Sequence, residues 1–136
     1  MFSIPEGILT VPEGLLPKWL LFISVVSMFN TVQNFAGTSL TRRIYAKRPS
    51  EVTALTSHLF GVWTLLSAVI RYQAAWDISN PTLYRLAQTT FGIALFHFCS
   101  ELFVFKSARL NGPFFSPLVV ASVSLTWMYM QKSYYL

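Results

Sequence analysis

Hydrophobic residues along the chain fall into four long runs separated by short polar segments, and the polar residues inside those runs recur at helical rather than alternating spacing. The pattern predicts an all-α protein with helical spans over residues 17–36, 54–76, 82–105 and 113–131. Pro17 suits a first helical turn, because the N–H it lacks would have no partner there. Asn80-Pro81 marks a tight turn that forces the second and third spans to run antiparallel. Residues 1–16 read as a partly apolar interfacial segment with Glu6 and Glu13 and no basic residue, which is unlike the positive start of a signal peptide.

Each run is long enough to cross a bilayer, so the expected architecture is a single polytopic membrane domain, a four-helix antiparallel transmembrane bundle. Composition sharpens this. Charged residues are only 11% of the 136, roughly half the usual share for a soluble domain, and after four spans too little chain remains for a soluble catalytic domain. The net charge of +5 does not point to nucleic acid, since most basic residues sit in loops next to apolar runs. Arg42, Arg43, Lys47 and Arg48 make the first loop a basic one, and with Lys106 and Arg109 in the third they place both loops on the cytoplasmic side. Cys99, the single cysteine, reads as an inert buried thiol.

Polar side chains within the spans need partners, because lipid supplies none. Ser27, Asn30 and Asn34 share one face of the first helix, and Ser57 and Gly61 form a small-residue pair that permits close helix approach. These two faces are the expected sites of helix packing or of contact with a second copy. Arg71 is expected to anchor the helix, snorkelling to the interface or hydrogen bonding, with lipid phosphate as the sharper alternative.

Reflecting the second span onto the third through the turn near residue 79 brings His58, His97 and Glu101 to one depth. Two imidazoles and a carboxylate could bind a metal, but a structural polar cluster, with Glu101 paired to a histidine or to Arg109, is the plainer reading. No metal or other cofactor is expected. No phosphate-binding loop, nucleophile elbow or zinc-protease motif occurs, so no enzymatic activity is expected either. The residues alone support a scaffold or a small lipid carrier. The carrier predicts a lipid-sized cavity lined by Asn30, Asn34 and Arg71.

The strings LPKWLLFISVVSMFN (Leu16 to Asn30), LTRRIYAKRP (Leu40 to Pro49), FGVWTLLSAVIRY (Phe60 to Tyr72), ALFHFCSELFVFK (Ala94 to Lys106) and GPFFSPLVVASVSLTWMYMQKSYY (Gly112 to Tyr135) resemble the ergosterol biosynthetic protein 28 family. The resemblance implies a non-catalytic endoplasmic-reticulum membrane scaffold of sterol C-4 demethylation. Its implied partners are the sterol C-4 methyl oxidase, the C-3 sterol dehydrogenase/C-4 decarboxylase and the 3-keto sterol reductase, together with a second copy of the chain in a homodimer. The family supplies no motif-defined catalytic residue to carry over. The resemblance assigns no individual role to Trp19, Asn30, Arg42, Arg71, His97 or Glu101, which fall within the matching strings.

Overall fold

The computed structural model describes residues 14–136, so the expected interfacial segment lies almost wholly outside the described residues. Four long helices dominate: α1 (Leu15–Ala36), α3 (Ala54–Trp76), α4 (Pro81–Phe103) and α5 (Gly112–Met130). Between α1 and α3 the first loop holds a short helix, α2 (Ser39–Ile44), and a 3-10 turn at Pro49–Glu51, and a last short helix, α6, covers Lys132–Tyr135. No strand occurs among the described residues.

Local chemistry explains where the helices start. Thr53 and Thr56 form a reciprocal cap at the head of α3. Asn80 accepts from the backbone N–H groups of Thr82 and Leu83 at the head of α4, where Pro81 costs nothing because its missing donor would be an orphan. Asn111 caps α5 through the N–H of Phe114.

Each long helix runs antiparallel to the one before it, and the ring closes. At one end Leu16 and Leu20 of α1 share a core with Ala74 and Ala75 of α3, Tyr84 and Phe91 of α4 and Met128 of α5. The Tyr84 hydroxyl donates to the Met128 carbonyl at 2.6 Å, and the Trp19 indole donates to Ser124 at 2.8 Å, joining α4 and α1 to α5. At the other end Ala94, Phe98, Phe114 and Ala121 pack under Ile44 of α2. The first and third loops meet there, with the Lys47 N–H on the Ser107 carbonyl at 3.0 Å and the Asn111 amide on the Arg43 carbonyl at 3.1 Å.

Polarity is distributed the reverse of a soluble fold. Ser24, Ser27, Asn34, Ser57, Ser67, Arg71, Thr90 and Ser124 are buried, while Phe22, Phe29, Val32, Leu55, Leu59, Leu66 and Phe96 are exposed. Apolar exposure on this scale marks a surface meant for lipid or for other proteins. α1 and α3 are each long and apolar enough to cross a membrane; the apolar part of α5, Phe114–Met130, is shorter. α4 matches α3 in length but carries Arg85, Gln88, His97 and Glu101.

Candidate functional site

Three polar regions lie within the bundle, each built by a different set of elements. The first is the α1–α3 seam. Ser57 and Gly61 present a flat strip, and a methyl group at Gly61 would come within 3.3 Å of both the Asn34 Cβ and the Phe35 ring. That absence of a side chain lets the helices close until the Ser57 hydroxyl reaches the carbonyls of Asn34 at 2.7 Å and Gly37 at 2.8 Å. Thr41 of α2 completes the cluster, donating to Asn34 Oδ1 at 2.7 Å and lying 3.0 Å from Ser57. Asn34 of the first face and the Ser57/Gly61 pair of the second therefore meet each other within the chain, while Ser27 and Asn30 of the first face line a cavity. Thr41 was not foreseen, because a six-residue helix inside a polar loop leaves too short a pattern to read.

The second region surrounds His97. Its Nε2 lies 2.6 Å from the Tyr45 hydroxyl, and its ring packs edge-on against Trp63 at 5.2 Å. Burial, and then the charge of Glu101, hold the Tyr45 phenol above its ordinary range. Glu101 itself accepts from the Ser107 hydroxyl, so neither a histidine nor Arg109 is its partner. His58 is exposed and stacks on Phe35 at 5.7 Å, away from His97. Equal depth does not mean equal face: His58 follows Ser57 in sequence, and one residue turns an α-helix by about 100°. Among the described residues no three His, Cys, Asp or Glu side chains gather.

The third region is a cavity of about 310 Å³ lined by all four long helices and α2. Asn30, Ser67 and Arg71 supply its polar wall, and Ile23, Phe91 and Phe98 much of its apolar one. Arg71 does not snorkel. It is 7% exposed, its Nε donates to Thr90 at 3.0 Å, and its guanidinium lies 4.0 Å from the centre of the Phe91 ring. Asn34, expected beside Asn30 and Arg71, instead belongs to the seam.

The basic residues of the first loop are exposed. Arg48 pairs with Glu51 at 3.0 Å, and Arg42 donates to the Val52 carbonyl at 3.2 Å, so the two help fold the loop itself. Arg43 and Lys47 join it to the third loop through their backbones.

Fold and interior together define an all-helical protein with polar groups turned inward, two of its helices long and apolar enough to cross a membrane. Within that class the chain belongs to the ergosterol biosynthetic protein 28 family: residues 16–126 match the family model described as Erg28 like protein. It is 45% identical to ergosterol biosynthetic protein 28 of Saccharomyces cerevisiae over 99% of this chain and 97% of the relative. Identity to the Candida albicans protein of the same name is 47%, over 99% of each. The human ergosterol biosynthetic protein 28 homolog is 43% identical over 89% of this chain and 87% of its own. None of these names is that of an enzyme. No solved structure matches the chain.

Proposed function

We propose that this protein acts in sterol biosynthesis as a non-catalytic scaffold of the endoplasmic-reticulum membrane. It crosses the bilayer four times, with the first and third loops cytoplasmic, and gathers the sterol C-4 methyl oxidase, the C-3 sterol dehydrogenase/C-4 decarboxylase and the 3-keto sterol reductase. Family membership over nearly the whole chain supports the pathway. The observation that carries the scaffold role is the outer surface, where large apolar side chains stand exposed along α1, α3 and α4 while the polar groups pack inside. Such a surface offers helix faces to neighbours in the bilayer, and gathering successive enzymes raises the effective concentration of each intermediate at the next active site.

A second copy of the chain, if bound as the homodimer reading requires, docks on this outer surface and not on the closed α1–α3 seam. Purification of the tagged protein from membranes in mild detergent tests the reading. Co-purification of the three demethylation enzymes is expected, and recovery of none of them would sink it.

A further inference from the structure

The bundle holds a cation with no anion beside it among the described residues. Arg71 is more than nine-tenths buried, yet among the described residues the one ion pair is Arg48–Glu51, at the far end of the molecule. Thr90 takes the Nε proton and Phe91 covers one guanidinium face, but the terminal nitrogens donate to no described acceptor. They are not sealed off either: among the described residues the fully buried side-chain nitrogens and oxygens without a partner are Asn34 Nδ2 and Trp76 Nε1. Arg71 thus faces open space, and that space is the cavity it lines. A buried charge is ordinarily paired, and an arginine fork matches a carboxylate or phosphate with two parallel bonds.

The rest of the wall repeats the pattern. Asn30 and Ser67 line the same cavity, and their side chains make no hydrogen bond with any described residue. Arg71 and Ser67 lie one turn apart on α3, and from Thr64 to Arg71 the polar strip extends about 10 Å along the axis. Ile23, Phe91, Ala94 and Phe98 face it with hydrocarbon. α1 and α5 are joined by Trp19 and Ser124 at one end, and beyond that contact Val26 and Asn30 face Pro117 and Val120 across the cavity. Val26 is exposed, so the space reaches the outer, apolar surface between these two helices.

We propose that this cavity binds one small amphipathic molecule, its anionic head against the Arg71 guanidinium and its apolar body along α4 and α5. A volume of about 310 Å³ suits a compact body or part of a longer chain, with the remainder passing out between α1 and α5. The anionic head is a carboxylate or a phosphate monoester. This inference stands apart from the scaffold role, and loss of the enzyme partners would leave it untouched.

The test is saturable binding to the purified full-length protein in detergent, read by native mass spectrometry and by competition. One arm uses a steroid carboxylic acid and its uncharged alcohol; the other uses a short-chain phosphatidic acid and the matching diacylglycerol. We expect one charged probe to bind at least about tenfold tighter than its neutral counterpart, and Arg71→Gln to abolish that difference. Which arm responds identifies the head group. Because Arg71→Gln alters a buried residue, the wild-type comparison of charged with neutral probe decides independently of the variant, and Ser67→Leu, which fills the cavity and keeps the charge, should block both probes. Equal binding of charged and neutral probes to the wild type, or no saturable binding in either arm, overturns the proposal.

Discussion

The two polar regions of α3 lie on one helix about 15 Å apart and are finished in opposite ways. At Ser57 the hydroxyl reaches two carbonyls and a threonine within 3.0 Å, and Gly61 leaves no gap beside it. At Ser67 and Arg71 polar atoms face a cavity. Serine occurs in both places, so residue type does not set the difference. What differs is the surroundings: α1 presents Asn34 and Gly37 to Ser57, while Ser67 and Arg71 share a cavity lined by Trp63, Phe91 and Phe98. Buried polarity therefore takes two forms in one small bundle, locking helices together at the seam and lining open space in the cavity.

The largest expected effect comes from breaking the seam. In Gly61→Leu the new side chain would meet Asn34 and Phe35, where the Cβ alone already comes within 3.3 Å. The backbones on both sides are helical and cannot yield locally, so the fold should lose about 3 kcal/mol, and α1 should separate from α3. Thermal unfolding in detergent and protease sensitivity of the first loop measure this. A variant that melts with the wild type would mean that the seam is looser than described.

Ser57→Ala should act in the same place with less force. It removes the hydroxyl from the Asn34 and Gly37 carbonyls and from Thr41, at a cost of about 1–2 kcal/mol. The cost falls on thermal stability and leaves binding of an amphipathic probe unchanged, because none of these partners lines the cavity.

How far these regions could be read from the sequence follows from what each depends on. Apolar runs, the Asn80-Pro81 turn and the inward face of Ser27, Asn30 and Asn34 are periodic or local, and the helices begin and end close to the expected residues. Which polar residue meets which is not periodic. It depends on helix rotation and on loops, and so Asn34 fell to the seam through Thr41, Arg71 turned to Phe91, and His97 found Tyr45 across the first loop in place of His58. The cavity was least legible, since an empty volume is set by the large side chains that hold helices apart and not by the small polar ones that line it.

Tyr45→Phe probes the third polar region, where loop and helix meet. Losing the bond to His97 Nε2 should cost about 1 kcal/mol at neutral pH. The phenol is held above its ordinary value by burial and then by Glu101, so the folded state keeps its proton longer than the unfolded chain does. The stability this contributes is complete below about pH 10, where the unfolded phenol ionises, and fades as the pH rises toward the folded value. The gap in melting temperature between wild type and Tyr45→Phe should therefore be constant through neutral pH and narrow in alkali. A gap that widened above pH 10 would contradict the burial of Tyr45.

Ser67→Ala is the smallest change and the sharpest control on the comparison. Ser67 is buried like Ser57, sits on the same helix and would be judged equivalent by composition. Yet its hydroxyl has no described partner to lose, so the empty protein should shift by less than about 0.5 kcal/mol. The difference between the two serine variants, measured by unfolding under one set of conditions, isolates the contribution of a satisfied hydroxyl from that of a buried one. If Ser67→Ala proved as costly as Ser57→Ala, the cavity hydroxyl would have a partner in the resting protein, and the contrast between a closed seam and an open site would fail. If instead the two serines differ only while the protein is free of amphipath, and Ser67→Ala becomes costly once the cavity is filled, the missing partner is the ligand itself.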